Sequence, residues 1–202
     1  MLRMALPKGR LFEEALELFI KKGLLPQRLD EGRKLSVKVD GFEFLLVKPF
    51  DVPVYVENGA ADLGVVGRDV LLERKPDIYV MSDLRIGFCK VVVAGKEESR
   101  NAYHKSSYIR VATKYPRITQ DFFLEKGVKC KVVNLSGSVE LAPLIGLADY
   151  IVDLVQTGRT LRENNLVVIE EITHSTAMLV CNRTSYRNLR EEVLSVVEKF
   201  LD

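Results

Sequence analysis

Short apolar runs alternate along the chain with stretches whose apolar residues recur at helical spacing. The first runs, RMAL at 3–6 and FEFLLVK at 42–48, are expected as strands. Between them, Leu11, Ala15, Leu18 and Phe19 share one helical face from Leu11 to Lys22, and Gly23 supplies a C-terminal stop. ADLGVVG at 61–67 predicts a buried strand, and RDVLLERK after it a helix. DIYVM, KVVVAG, IRVAT, KCKVVNL and DYIVDLV predict further strands. RITQDFFLEKG at 117–127, SVELAPLIG at 138–146 and TLREN predict helices. LVVIEEIT and TAMLVCN read as a strand pair, and Asn188 to Leu201 as a closing helix with Leu189, Val193, Val196, Val197 and Phe200 on one face. Such alternation predicts a parallel α/β architecture.

One pattern repeats. NGAADLGVVGRDVLLE at 58–73 resembles LIGLADYIVDLVQTGRTLRE at 144–163. Each carries Gly-x-Ala-Asp, an apolar strand, then Gly-Arg opening a helix, with Gly67 five residues after Asp62 and Gly158 nine after Asp149. Two such units on separate halves predict two pseudo-equivalent lobes facing a cleft. SDLRIGFCKVVVAGK at 82–96 is expected to cross between them, with Gly87 giving backbone freedom. The expected division is 1–86 with 170–202 for one lobe and 87–169 for the other.

Composition narrows the function. The 202 residues suffice for one large domain or two small lobes, and 47% hydrophobic with 29% charged residues is ordinary for a globular protein. A net charge of +2 without a basic block gives no reason to expect nucleic acid as a partner. No apolar run approaches the ~20 residues needed to span a bilayer, so no membrane association is expected. MLRMALPKGRL is too short in its apolar part for a signal peptide, with Lys8 and Arg10 following at once, so a cytoplasmic location is expected. Cys89, Cys130 and Cys181 are scattered and read as reduced thiols. With only His104 and His174, a histidine-rich metal site is not expected, and no residues stand out as direct metal ligands.

The candidate chemistry lies in strand-to-helix turns. A strand through Asp153, Leu154 and Val155 delivers the chain to the carboxyl edge of a sheet, where α/β proteins bind ligands. Gln156, Thr157, Gly158, Arg159 and Thr160 then open a helix whose free N–H groups suit a phosphate. Thr157 could equally be a plain N-cap. Ser136-Gly137-Ser138 forms a second such turn, with Glu140 in the following first turn; capping by Ser138 is the alternative there. Lys8, Gly9 and Arg10 form a third, basic turn with no acid near it, suited to a polyphosphate or simply solvated. Lys114 and Tyr115 stand at another strand end before Pro116. Cys89 and His174 lack a sequence partner and read as structural.

The motifs ALPKGRL, ADLGVVGRDVL, VATKYP, NLSGSVELAPLIGLAD and DLVQTGRTLRENNL occur in this order. On them the chain resembles the ATP phosphoribosyltransferase family, most specifically from Gly137 to Leu166. Its length resembles the short form, without the C-terminal regulatory domain of the long form. The resemblance implies a two-lobed fold like type II periplasmic binding proteins. It implies attack of adenine N1 of ATP on C1 of 5-phosphoribosyl 1-diphosphate (PRPP), with Mg²⁺ required and pyrophosphate leaving, the first step of histidine biosynthesis. By similarity, the run Leu154 to Thr160 belongs to the PRPP site, its Thr157-Gly158-Arg159-Thr160 loop holding the 5-phosphate. Asp153 and Glu140 would hold the ribose hydroxyls, Ser136, Gly137 and Ser138 would lie near the diphosphate and Mg²⁺, and Lys8, Gly9 and Arg10 would contact a polyphosphate. Lys114 and Tyr115 would line the cleft. A catalytically inactive relative of histidyl-tRNA synthetase is the implied partner, in a homo- or hetero-oligomer.

The chain departs from the family pattern at LRIGFC, 84–89, where Arg85 replaces an acid of some members; no nucleotide contact is carried over there. VDLVQTGRT also resembles the phosphate motif of type I phosphoribosyltransferases acting on other bases, which have two adjacent acids before TGxT; Leu154 fills the second place. A non-catalytic solute receptor or sensor of the same two-lobed class is the other alternative. Glu140 and Asp153 beside phosphate-type turns favour phosphoribosyl transfer.

Overall fold

The structure is a computed structural model and describes residues 1–28, 34–100, 102 and 105–201. His104 lies outside the described residues. The chain begins with β1 (Leu2–Pro7), α1 (Arg10–Lys21), β2 (Ser36–Val39), β3 (Phe42–Val47), α2 (Val52–Glu57), β4 (Leu63–Gly67), α3 (Arg68–Arg74) and β5 (Tyr79–Asp83). Next come β6 (Cys89–Gly95), β7 (Tyr108–Thr113), α4 (Pro116–Glu125), β8 (Lys129–Asn134), α5 (Leu141–Leu144), β9 (Tyr150–Val155), α6 (Arg159–Glu163) and β10 (Val167–Ser175). It ends with β11 (Ala177–Cys181), α7 (Arg183–Asn188) and α8 (Arg190–Val197).

These elements form two compact units, Met1–Phe88 with Thr176–Asp202, and Cys89–Ser175. The second boundary falls later than the expected 169/170 because β10 pairs antiparallel with β6 up to Ser175. β10 and β11 are therefore not a pair, as their patterns suggest, but edge and interior strands of different sheets. Only Thr176 separates them, too little chain for a two-residue hairpin.

The first sheet has the order β2-β3-β1-β4-β11-β5 and the second β10-β6-β9-β7-β8. Neither is wholly parallel, a correction to the expected architecture. β3, β1 and β4 run parallel, while β11 is antiparallel to β4 and β5. β8, β7 and β9 likewise run parallel, while β6 is antiparallel to β9 and β10 to β6. The order β3-β1-β4-β11-β5 thus has the same pattern as β8-β7-β9-β6-β10.

The sequence echo has a physical basis in this repetition. In the first unit, Asp62 Oδ2 accepts the Arg3 N–H at 2.8 Å, the Asp62 N–H donates to Arg3 O at 2.8 Å, and the Arg3 guanidinium reaches Gly59 O at 3.1 Å. In the second, Asp149 Oδ2 accepts the Arg110 N–H at 2.8 Å, the Asp149 N–H donates to Arg110 O at 2.9 Å, and the Arg110 guanidinium reaches Gly146 O at 2.9 Å. Gly59 and Gly146 both carry positive φ, 69° and 74°, which glycine adopts without strain. Each Gly-x-Ala-Asp is therefore a turn that locks the start of one parallel strand to its neighbour.

On α1 the buried face is Phe12, Ala15, Leu16 and Phe19, with Leu11 and Leu18 partly buried at its margin. It packs on the first sheet together with Val193, Val196, Val197 and Phe200. The expected closing helix from Asn188 to Leu201 is found as α8 followed by a 3₁₀ turn at Glu198–Phe200, and a further helix, α7, precedes it and meets it at Leu189. Asn182 accounts for the extra start, because its side chain accepts the Ser185 N–H at 2.9 Å. A separate core, including Val92, Ala94, Ala112, Ile151, Leu161 and Leu166, fills the second unit.

Candidate functional site in the second unit

From β7 the chain crosses through α4 to β8 on one side, then returns to β9 on the other side of β7. The connections leaving the carboxyl ends of β7 and β9 therefore diverge, the arrangement in which open α/β sheets bind ligands. Three predicted groups meet at this edge of the second unit: Lys114 after β7, Ser136 to Glu140 after β8, and Asp153 to Thr160 at the end of β9.

Asp153 is at the centre. It lies in β9 opposite Val92 of β6, with only 18% of its side chain exposed. Lys114 Nζ stands 3.3 Å from Oδ1, close enough to pair but not aligned as a hydrogen bond, and among the described residues Oδ1 has no hydrogen-bond partner. Burial pushes the Asp153 carboxyl above its ordinary range; the Lys114 ammonium and then the Leu154 backbone N–H oppose this, while the Glu140 charge adds to it. Burial dominates: the protein holds a carboxylate that it does not fully satisfy. Such a group calls for a ligand donor.

The loop after β9 opens α6, which has only five residues. The macrodipole of so short a helix is small, so anion binding here must rest on local N–H groups and hydroxyls rather than the helix field. The N–H groups of Thr160 and Leu161 lie in its first turn, where no intrahelical acceptor exists. Gly158 adopts φ 71°, turning the chain so that these groups follow directly. Arg162 braces the loop by donating to Thr157 O at 3.0 Å. Thr157 Oγ1 accepts the Arg159 N–H at 3.4 Å, a weak contact, so the hydroxyl is not committed to a strong cap. Arg159 pairs with Glu163 at 2.7 Å and is largely exposed. Gln156 is exposed, whereas Leu154 and Val155 are half buried in the sheet ladder.

The predicted helix over 138–146 shortens to Leu141–Leu144, because Ser138 takes φ 48° and Glu140 occupies the N-cap without a side-chain capping bond. Ser138 is therefore not the cap. Ser136, Gly137 and Ser138 are exposed and Glu140 half exposed. A non-glycine residue held at positive φ is a cost that the surrounding loop must sustain, and such residues concentrate at binding sites.

Tyr115 requires a correction. Its side chain is 1% exposed, so it has no surface to offer a nucleotide. Its ring instead lies under the Lys114 ammonium, 5.3 Å from the centroid. Sequence reasoning also missed Thr113, the last residue of β7. Its hydroxyl donates to Val152 O at 2.7 Å and accepts the Tyr115 N–H at 2.8 Å, and its carbonyl accepts the Leu135 N–H at 3.0 Å. The available signal was a threonine closing the otherwise apolar strand VAT before Lys114.

Lys8, Gly9 and Arg10 belong to the first unit, at the end of β1. Gly9 takes φ 90° and ψ −153°, a conformation essentially reserved for glycine. The sequence suggests a turn with no acid near it, but the fold brings Glu14 to it. Arg10 pairs with Glu14 one helical turn on, and Glu14 Oε2 also accepts the Gly87 N–H at 2.7 Å. Lys8 is exposed. Arg85 is exposed at φ 54°, its N–H held by Asp83 Oδ1 at 2.8 Å.

Burial pushes the Cys130 thiol up to about 11 and the Cys181 thiol up to about 12, so neither is a ready nucleophile. Among the described residues no three His, Cys, Asp or Glu side chains gather as metal ligands, and no helix is long and apolar enough to cross a membrane.

Residues 48–201 match the family model HisG, ATP phosphoribosyltransferase. A curated ATP phosphoribosyltransferase of Aquifex aeolicus is 55% identical over 201 residues, covering 100% of this chain and 94% of its own. The solved ATP phosphoribosyl transferase (HisG:HisZ) complex from Thermotoga maritima contains a chain of similar fold, with TM-score 0.84 and 39% identity over 99% of this chain and 96% of that one. The periplasmic aliphatic sulphonate binding protein SsuA from Escherichia coli matches with TM-score 0.64 at 14% identity over 98% of this chain and 70% of that one, a likeness of fold alone.

Proposed function

The chain belongs to the ATP phosphoribosyltransferase family, and on that premise we propose that it joins ATP to PRPP through adenine N1, releasing pyrophosphate in the first step of histidine biosynthesis. The observation that carries the assignment to this site is the buried, incompletely partnered Oδ1 of Asp153 at the sheet edge where the loops 136–140 and 156–160 also end.

Each group has a chemical task. The N–H groups of Thr160 and Leu161, with the hydroxyls of Thr157 and Thr160, hold the PRPP 5-phosphate. Asp153 and Glu140 accept hydrogen bonds from the ribose hydroxyls. As the C1–O bond to pyrophosphate lengthens, positive charge grows at C1, and these carboxylates stabilise it electrostatically. Lys114, exposed for 33% of its side chain, tempers the Asp153 carboxylate in the free protein and is available to an anionic substrate. Adenine N1 needs no proton removed before attack, so positioning two anionic substrates carries much of the catalysis.

The donor set suits Mg²⁺ brought with PRPP rather than a metal caged by protein. The exposed Ser136 and Ser138 hydroxyls are hard oxygen donors, too few for a protein-only shell, and Mg²⁺ commonly keeps several waters and is held through substrate phosphates. When bound it would neutralise charge on the departing diphosphate. We expect a cytoplasmic enzyme working with a regulatory subunit related to histidyl-tRNA synthetase. That the Thermotoga relative is solved as a HisG:HisZ complex supports such a partner and a hetero-oligomer.

The test is product identification. ATP, PRPP and Mg²⁺ with the protein and its partner should yield one phosphoribosyl-ATP per pyrophosphate. Pyrophosphate release without the adduct would show PRPP hydrolysis or transfer to another acceptor instead.

A further inference from the structure

Thr113 is fully buried, yet every one of its polar contacts named above leads to a different part of the candidate site. The hydroxyl donates to Val152 O at 2.7 Å, next to Asp153, and accepts the Tyr115 N–H at 2.8 Å, next to Lys114. The carbonyl accepts the Leu135 N–H at 3.0 Å, next to Ser136. Thr113 also ends the register of β7 against both neighbours, opposite Val152 of β9 and Asn134 of β8. Thr119 fixes the far side of the same turn: its hydroxyl donates to Tyr115 O at 2.7 Å from a buried position.

The internal repeat supplies a control. The Arg–Asp clamps set Arg3 equivalent to Arg110, and the pairing of Met4 with Leu63 matches that of Val111 with Tyr150. Counting forward, Leu6 occupies in the first unit the place that Thr113 occupies in the second. Leu6 is also fully buried, and it is apolar. The repeated topology therefore accepts an apolar side chain at this position. The hydroxyl answers to something that the second unit has and the first lacks.

We propose that Thr113 is a positioning residue for phosphoribosyl transfer: its hydroxyl ties the ends of β7 and β9 so that Lys114 and Asp153 face each other at the depth PRPP requires. This rests on the assignment of PRPP to the second unit. A buried hydroxyl is suited to the task because it both donates and accepts, joining Val152 O, in the last pair of the parallel ladder, to the Tyr115 N–H just beyond it. Without it, the Tyr115 N–H and Val152 O lose a shared partner, Lys114 gains freedom, and the ammonium no longer offsets the burial of Asp153.

Thr113→Val removes the hydroxyl at nearly constant volume, and Thr113→Ser retains it. The valine protein should fold and lose roughly ten- to a hundredfold in kcat/KM for PRPP, the range expected when buried polar partners are left unsatisfied. The serine protein should recover most of that loss. In parallel, the Asp153 carboxyl followed by NMR should titrate at higher pH in Thr113→Val than in wild type, as an opposing cation is released. A merely structural residue would lower thermal stability without moving this titration. The proposal is overturned if Thr113→Val keeps wild-type kcat/KM and an unchanged Asp153 titration, or if serine fares no better than valine. Failure of the valine protein to fold also contradicts it, since the Leu6 comparison says the fold does not need the hydroxyl. Absence of product from the wild-type protein would instead count against the proposed function, and the Asp153 titration would still decide the role of Thr113.

Discussion

Lys114 Nζ lies 3.3 Å from Oδ1 of Asp153 just beyond the last β7–β9 pair, Thr113 with Val152. Both residues are more than half buried, and the ion pair does not fully compensate the desolvation of the carboxylate. A protein built only for stability would have no reason to keep this arrangement. A protein that must grip ribose hydroxyls next to phosphates has one.

The Asp153 carboxyl makes a signed statement about stability. Its folded pKa is raised above the ordinary 3.8, with burial the largest cause. A raised pKa contributes stability that is complete below the unfolded value and is lost as pH rises through the folded value. Ionised Asp153 thus costs stability at neutral pH. Asp153→Asn should have a Tm equal to or above that of wild type at pH 7, and the difference should vanish below about pH 4. Thermal scans across pH check this.

The two repeated clamps should differ in strength. Asp62 is buried and accepts from both the Arg3 N–H and the Ser185 hydroxyl, the latter at 2.7 Å. Asp62→Ala strands both donors and should cost roughly 2–4 kcal/mol in urea unfolding. Asp149 is held by Arg110, whose hydrogen bonds pull its carboxyl below the ordinary range. Its contribution is present above pH 3.8 and is lost as pH falls through the lowered folded value. Both partners are well exposed, at 39% and 40%, so solvent screening keeps the pair's contribution small, and Asp149→Ala should cost clearly less than Asp62→Ala.

The phosphate loop should separate function from stability. The Thr157 hydroxyl makes only a 3.4 Å contact with Arg159 N, so Thr157→Ala should change stability by less than about 0.5 kcal/mol. The KM for PRPP should rise roughly ten- to a hundredfold, the worth of one hydrogen bond to a charged group. Gly158→Ala introduces strain at φ 71° and brings a Cβ to 3.2 Å from the Arg162 guanidinium. That side chain can move aside, so the cost should be about 1–2 kcal/mol, mostly backbone strain. Steady-state kinetics and urea unfolding on the same preparations decide both.

Much of the architecture was legible because strand runs and amphipathic stretches keep their own periods. β1, β3, β6 and β9 fall within a residue or two of the runs that predict them. Long-range choices were not. β10 and β11 look alike as apolar strands, and nothing local says that one joins β6 and the other β4. The start of α7 at Asn182 was hidden because a single side chain creates it. At the site, Asp153 and the loop to Thr160 were readable from a lone acid in an apolar strand followed by Thr-Gly. Tyr115 misled because an aromatic beside a lysine reads like a ligand platform, whereas burial turns it into a support for Lys114. Thr113 was silent because its importance lies in partners far away in sequence.

The most direct measurement compares wild type with Asp153→Asn in the ATP, PRPP and Mg²⁺ reaction, with and without the synthetase-related partner, following the change in adenine absorbance. Wild type should turn over, and the variant, folded and at least as stable at pH 7, should lose about a hundredfold or more in kcat/KM for PRPP, as when a preorganised electrostatic partner is removed. An Asp153→Asn protein with wild-type turnover, or a loss of activity no larger than its loss of stability explains, would contradict the assignment of Asp153 to the reacting ribose.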